Sequence, residues 1–337
     1  MNTPIVSIIL PCWNAAAHLQ ATLDSLTAQT FTDFECIAID DGSTDSTLTL
    51  LQTHAEGDPR FRIISRENRG LIATLNEAVA AAHGEWIARM DADDIAHPAR
   101  LEKQLVHLRQ TGADLCGSWI CFFGDRRGEW QLPVEDEAIK AHLMFNTALA
   151  HPTVMARASL LKAHPYDPAM SCAEDYALWC ELAICGAAFS NVPESLLDYR
   201  THAGQISQSR ADTQRATGQK VRSRYIPWYL PPEMAGLAPQ LVELAASERL
   251  LDESEFCWLA ACLLRLKQLR PACRDAFGAI WLDALQRTPA AGPRLAWLSR
   301  RLARNFPLPK GEGRRYLRIL VRCLLGKQLG QRLRGRA

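Results

Sequence analysis

The chain has no long hydrophobic run. Across its 337 residues, no uninterrupted apolar stretch reaches the roughly 20 residues that a bilayer-spanning helix needs. Its opening residues, MNTPIVSIILPCWN, lack a basic stretch and already carry Pro11 and Asn14, so they read as a first strand and not as a secretion signal. None of the 11 cysteines forms a C-x-x-C pair, and their number is odd. Cys12, Cys36, Cys116, Cys121 and Cys180 sit in apolar surroundings, which fits small buried residues in a reducing cytoplasm better than disulfides or a zinc site. Charge of one sign is also missing. Lys and Arg number 38 against 37 Asp and Glu, so the net charge of +1 points to no partner by itself. There is no internal repeat and no low-complexity segment. What is present, 48% hydrophobic and 22% charged residues, is ordinary globular composition, long enough for one large domain with an appendage or for two domains.

The first half alternates strand and helix signals. VSIIL, ECIAI, FRII and EWIARM read as four strands. Between and after them, Leu19, Leu23 and Leu26, then Leu48 and Leu51, then Leu71, Leu75, Ala78, Val79 and Ala82, then Leu101, Leu105 and Leu108 mark helix faces, with the second helix beginning at Asp45 or Ser46. Such alternation implies an α/β fold, a mostly parallel sheet flanked by helices, whose ligands bind at the carboxyl ends of the strands. Those ends are polar here: Pro11 to Asn14, Asp40 to Asp45, Arg66 to Gly70, and Asp91 to Asp94. From about Cys116 the alternation weakens. LCGSWICFF reads as a further strand, GDRRGEW as a turn, AEDYALWCELAICG as a helix, and NVPESLLDYRTHAGQIS as a short strand and a loop. YIPWYLPPEMAGLAP, rich in Pro and aromatics, reads as a linker. The remainder predicts a helical appendage of four or five helices, broken at Pro271, Pro289, Pro293, Pro307 and Pro309. The expected division is residues 1–215 and 216–337.

The densest chemistry lies in MDADDIAHP, Met90 to Pro98. Asp91, Asp93 and Asp94 crowd the end of an apolar strand, where carboxylates repel one another unless something compensates. Mg²⁺ or Mn²⁺ takes oxygen ligands and commonly shares them with phosphates, so Asp-x-Asp here is a seat for a metal–diphosphate complex. The competing reading is a polar loop that caps the next helix. At the second strand end, Asp40 and Asp41 can accept a hydrogen bond from a nucleobase or ribose, or can serve the turn at Gly42 alone. Arg69 can meet a base or diphosphate, with Gly70 letting the next helix begin close to it. Glu174 and Asp175 start a helix. They either answer its dipole or supply the base that takes an acceptor proton. His151 and His202 are lone histidines, a type more often structural or exposed than ligating.

In order, VSIILPCWN, IDDGSTDST, ENRGLIATLNEA, MDADDIAHPARLEKQL, HPTVMARASLL, AEDYALWCELA and DYRTHAGQIS resemble the family-2 inverting glycosyltransferases of bacterial surface-polysaccharide assembly, which have the GT-A fold. The resemblance covers about residues 4 to 210. It implies a nucleotide-diphosphate sugar donor, a saccharide or lipid-linked acceptor, and Mn²⁺ or Mg²⁺. Carried over residue by residue, it places Pro11, Asn14 and Asp41 at the nucleoside, Arg69 near the third strand end, Asp91 near ribose and diphosphate, Asp93 on the metal, Asp175 as the catalytic base with Glu174 beside it, and His202 at the metal or diphosphate. Two other classes compete. A sugar-nucleotide-forming nucleotidyltransferase would carry a Gly-rich loop and Lys after the first strand, which PCWNAAAH lacks, and an inactive binding module would not need Asp91, Asp93 and Asp175 intact.

The resemblance leaves the last segment uncovered. There Arg315, Arg318 and Arg322 share one helical stripe, and Leu317, Leu320, Val321 and Leu324 the other. Residues 310–337 suit an anionic membrane surface, peripheral on the inner face of the cell membrane, or else pack on the helical region with a solvated basic edge. The lack of aromatic interleaving beyond Tyr316 argues against nucleic acid.

Overall fold

A computed structural model describes residues 3–201, 211–246, 250–289, 292–308 and 312–334, although the side chains of 211, 275, 279 and 324–334 lie outside the description. The chain divides into two compact units. The first takes residues 1–136 and 147–217, the second 137–146 and 218–337.

The first unit is built on a nine-stranded sheet. Strands β1 (Val6–Cys12), β2 (Phe34–Asp41), β3 (Phe61–Arg66) and β4 (Trp86–Arg89) form its parallel half in the order β3-β2-β1-β4. They alternate with helices α1 (Ala16–Thr27), α2 (Thr47–Gly57) and α3 (Leu71–Ala81). The expected leucine stripes are the buried faces: Leu19, Leu23 and Leu26 of α1, Leu51 of α2, Leu75 with Ala78 and Val79 of α3. Apolar strands buried on both faces between helices are what a parallel sheet requires. Asp45 does the capping of α2 from one residue before its N-cap, accepting the Thr47 N–H at 3.0 Å.

The second half of the sheet mixes directions. After α4 (Arg100–Thr111) the chain enters β6 (Leu115–Gly124), which turns back through β7 (Gly128–Trp130). Helix α5 (Asp136–His142) is followed by a short β8 (Met155–Arg157), antiparallel to both β4 and β6. Helices α6 (Ala158–Ala163) and α7 (Glu174–Ile184) follow. The segment expected to be a short strand and a loop is the longest strand, β9 (Phe189–Thr201). It runs parallel to β6 with register shifts between Ser118 and Cys121, and its far half pairs antiparallel with a two-residue strand, β5 (Ile95–Ala96), that the sequence did not signal. Pro193 and the charges of Glu194 and Asp198 interrupt the apolar pattern, which is why the strand looked shorter.

The second unit is helical. Among the described residues its helices are α8 (Ala211–Tyr229), α9 (Ala238–Ala246), α10 (Glu253–Leu269), α11 (Arg274–Gln286), α12 (Pro293–Asn305) and α13 (Gly313–Arg334), the last five of which make up the appendage where four or five were expected. The Pro-aromatic segment before them is no linker. Tyr225, Ile226 and Tyr229 end α8 as buried core, with Tyr225 donating to the Lys140 carbonyl at 2.9 Å. Pro271 and Pro293 open helical turns rather than only ending them, because the first turn needs no N–H there.

The tail stripe is also redrawn. Within α13, Ile319, Leu320 and Cys323 face inward, whereas Leu317 is 59% exposed. Arg322 leaves the basic stripe to donate to the Leu285 and Thr288 carbonyls at 3.0 and 2.8 Å, satisfying the C-terminal end of α11. Leu324 lies outside the described side chains.

Candidate active site

Four strand ends lie side by side in register. Cys12 of β1 aligns with Asp40 of β2, and Asp40 and Asp41 align with Ser65 and Arg66 of β3. Next to β1 on its other side, β4 leads through Met90 into Asp91. The polar segments that the sequence marked therefore gather along one edge.

On the β2 side the carboxylates are bound up by the chain itself. Asp41 accepts the N–H groups of Arg69 at 2.8 Å and Gly70 at 2.9 Å and forms an ion pair with Arg66. Arg66 also reaches Glu77 at 2.7 Å and Thr74 at 2.9 Å, fastening α3 to the sheet edge. Asp40 accepts from Ser65 at 3.0 Å and from the Ser43 N–H at 3.3 Å. Both carboxylates are buried, and the turn-building role that the sequence left open is present in these bonds. The turn itself needs glycine. Gly42 has φ +70°, and a Cβ there would lie 2.6 Å from the Asn68 nitrogen. Asn14, itself left-handed at φ 47°, locks the β1 loop to this turn by accepting the Thr44 N–H at 2.8 Å. Pro11 lies in β1 opposite Ile39, and the Arg69 side chain is exposed. Sequence reasoning missed Arg66, although it ends the third strand as Asp41 ends the second, and the two lie opposite each other in register. It also passed over Trp13, whose indole is 58% exposed at the same edge.

On the β4 side, charge is crowded. Oxygens of Asp91, Asp93 and Asp94 lie within 4.8 Å of one another. The capping alternative fails, because α4 starts with Ala99 at its N-cap and has no side-chain cap. Asp91 pairs with Arg89, a nearly buried guanidinium whose Nε has no hydrogen-bond partner among the described residues. Asp94 is buried. Its Oδ1 accepts the Arg200 N–H at 2.8 Å, and its Oδ2 has no partner among the described residues. Burial, and then the charges of Asp91 and Asp93, push the Asp94 carboxyl well above its ordinary range. Burial pushes Asp91 up as well, and Arg89 opposes this. Beneath them Arg100 is fully buried, its own pKa lowered to about 10 by that burial, and it donates to the Arg89 carbonyl at 2.6 Å. Arg200 of β9 completes the cage, donating from Nε to the Asp93 carbonyl at 2.8 Å. Arg100 and Arg200 were both missed: each looks like an ordinary surface arginine in sequence, and only the fold turns it inward.

Glu174 and Asp175 occupy the first turn of α7. A helix dipole alone would hold them low. Instead burial pushes both up, helped at Glu174 by Asp175 and opposed at Asp175 by the Tyr176 N–H and by Arg89. Asp91 and Asp175 are close enough for the charge of Asp175 to push Asp91 up, and both act on Arg89 or feel it. A buried wedge sets α7 there. His151, pushed far below its usual pKa by burial and by Arg89 and so neutral, bonds the Tyr166 hydroxyl at 2.9 Å and meets Trp179 of α7 edge-on at 5.9 Å. His151 is thus structural. His202 lies outside the described residues.

The acidic cluster fits a hard divalent cation. Its donors are all oxygen, its carboxylates crowd within 4.8 Å of one another, and the Asp94 Oδ2 is buried without a partner among the described residues.

The family model "Glycosyl transferase family 2" matches residues 7–164. An uncharacterized glycosyltransferase of Haemophilus influenzae is 32% identical over 244 residues, which cover 68% of this chain and 75% of that one. The chain belongs to glycosyl transferase family 2. The O-antigen biosynthesis glycosyltransferase WbnJ of Escherichia coli is 33% identical over 212 residues, covering 61% of this chain and 83% of that one. Among solved structures, TarS of S. aureus in complex with UDP-GlcNAc superposes with a TM-score of 0.59 at 19% identity, over 87% of this chain and 83% of that one. The mannosyltransferase PcManGT of Pyrobaculum calidifontis, in complex with GDP-Man and Mn²⁺, gives 0.50 at 16% identity, over 85% and 86%. These likenesses bear out the GT-A type of α/β fold. The family match ends before α7, so Asp175 rests on the site's own geometry.

Proposed function

We propose that this glycosyltransferase moves a sugar, with inversion, from a nucleotide-diphosphate sugar to a hydroxyl of a saccharide or lipid-linked acceptor in cell-surface polysaccharide assembly. The observation that carries this reading is the pairing of two acidic groups with one buried arginine: the Asp91–Asp94 loop and the Glu174–Asp175 helix start both feel the charge of Arg89, and Asp91 feels that of Asp175. One group suits a diphosphate with its cation, and the other suits a base. Relatives that assemble O-antigen or chondroitin, and neighbours holding UDP-GlcNAc or GDP-Man with Mn²⁺, support the same assignment.

In this mechanism the exposed Trp13 offers its ring to the nucleobase, and Asn14, Pro11 and the loop that Asp40 and Asp41 hold shape the nucleoside pocket. Arg69, exposed beside Asp41, takes the diphosphate. Mn²⁺ or Mg²⁺, held by Asp93 with Asp91 and Asp94 nearby, would supply positive charge for the departing diphosphate. Asp175, whose burial makes it a stronger base, takes the acceptor proton. The acceptor oxygen bonds the anomeric carbon as the carbon–oxygen bond to the diphosphate breaks on the opposite face, so no covalent enzyme intermediate forms. The catalytic domain is the unit containing these residues. The decisive experiment follows the product anomer by NMR after transfer from UDP- and GDP-sugars with Mn²⁺. Inversion that stops in chelator and in Asp93→Ala is expected; retention, or undiminished transfer in chelator, overturns the reading.

Among the described residues no helix is long and apolar enough to cross a membrane. For the second unit an anionic membrane surface is proposed, but through α12 as well as the tail. Helix α12 has no acidic residue and exposes Arg294, Arg300, Arg301 and Arg304 around Trp297, which is 61% exposed. Arg314, Leu317 and Arg318 are exposed on α13. An exposed indole ringed by arginines suits anionic headgroups and their apolar boundary.

A further inference from the structure

We infer that His164, Glu181 and Cys185 form a second metal site, for one Zn²⁺-like ion, away from the acidic cluster. Their ligand atoms all lie within 4.8 Å of one another. Cys185 Sγ is 4.0 Å from His164 Nδ1 and 3.7 Å from a Glu181 carboxylate oxygen. Tetrahedral zinc with Zn–S near 2.3 Å and Zn–N or Zn–O near 2.1 Å sets such edges at about 3.6 Å, so the two sulfur edges already lie within about 0.4 Å of those of a zinc site.

The backbone holds these positions without any ion. Glu181 and Cys185 are four residues apart on one face of α7, and the Cys185 N–H donates to the Glu181 carbonyl at 2.9 Å. Gly186, at φ +86°, ends the helix with its N–H on the Ala183 carbonyl at 3.1 Å. His164 is the residue that terminates α6. A helix C-terminus favours a cation. The donor set of one sulfur, one nitrogen and one oxygen selects zinc-like ions, whereas the all-oxygen set at Asp91, Asp93 and Asp94 selects Mg²⁺ or Mn²⁺. Cys185 is exposed, so an ion can enter, with water as the fourth ligand, while the thiol releases its proton to solvent. No C-x-x-C spacing announces the site, because its ligands come from two helix ends.

Helix α7 has 11 residues and is about 16 Å long, with Glu174 and Asp175 at its other end. The ion therefore fastens α6 to α7 and steadies the helix that carries the proposed base, without touching the chemistry.

The test is a Co²⁺ titration of the metal-free full chain, read by the thiolate-to-cobalt charge-transfer band, alongside melting temperature with and without Zn²⁺. One equivalent of Co²⁺ should produce the band. Cys185→Ser should abolish it and His164→Ala should weaken affinity at least about tenfold, in line with loss of a ligand. Asp93→Ala should leave it unchanged, and Zn²⁺ should raise the melting temperature of the wild type but not of Cys185→Ser. Absence of the band in the wild type, its persistence in Cys185→Ser, or equal Zn²⁺ stabilisation of both proteins overturns the site.

Discussion

The two sides of the sheet edge use the same residue type to opposite ends. At β2, Asp40 and Asp41 are surrounded by donors from the chain: a guanidinium, a hydroxyl and three backbone N–H groups. At β4 and α7, Asp91, Glu174 and Asp175 are half-buried, Asp94 is buried with one oxygen unpartnered among the described residues, and desolvation together with mutual crowding raises their affinity for protons. A buried carboxylate with its donors in place is architecture. One held without them is a cost to folding that a ligand or a reaction can relieve.

The largest expected effect tests the reactive side. Asp175→Asn keeps shape and loses the proton acceptor, so kcat should fall by roughly 10²–10⁴-fold with donor affinity nearly intact. Equal loss of donor binding would make Asp175 part of the scaffold and erase the contrast. On the architectural side, Asp41→Ala leaves Arg66 and two N–H groups without their acceptor. A loss of about 3 kcal/mol in unfolding free energy by urea titration is expected, the usual result of breaking a buried pair. A folded variant of unchanged stability with a raised donor KM would instead put Asp41 in direct nucleoside contact.

Asp94→Asn should act with the opposite sign. A carboxyl whose folded pKa is raised stabilises the fold below the unfolded value, near 4, and loses that contribution as pH rises through the folded value. At pH 7 without metal the carboxyl therefore costs the fold stability. The neutral amide should raise the melting temperature by a few degrees, about 1 kcal/mol, with the gain vanishing near pH 4. A lower melting temperature at pH 7 would show that Arg200 and other neighbours fully compensate Asp94. The smallest effect lies in the second unit. Trp297→Ala should weaken binding to anionic vesicles about five- to tenfold, and salt should weaken the remainder, since each basic residue near the surface contributes about 1 kcal/mol. Binding equal to that of neutral vesicles would assign α12 to another partner.

Much of this was legible before any coordinates. The four strands, the leucine faces and the polar strand ends follow from local periodicity, and the Asp-x-Asp cluster from composition alone. What escaped depends on pairing between distant segments. β5 is two residues long and exists because β9 passes it. Arg66, Arg100 and Arg200 gain meaning from partners 25, 11 and 106 residues away. The Pro-aromatic stretch read as a linker because its prolines were visible and its burial was not. The tail stripe was misdrawn at Leu317 and Arg322 because the wheel carries no information about which neighbour supplies the unsatisfied carbonyls of α11.

The ten residues 137–146 have a consequence for how the protein is made. They leave the ribosome well before the rest of their unit. Their partners are Arg222 for Phe145, Tyr225 for Lys140, and Arg270 and Cys273 for Glu137. These come 77 to 136 residues later, about ten seconds of translation at ordinary rates. During that interval Ala138, Ile139 and Ala141 have no apolar cover from their own unit, while the strands on either side of them are already able to pair. A truncation near residue 215 makes that interval permanent. It would not release a self-sufficient catalytic domain but would leave an apolar insertion open to chaperones and to aggregation.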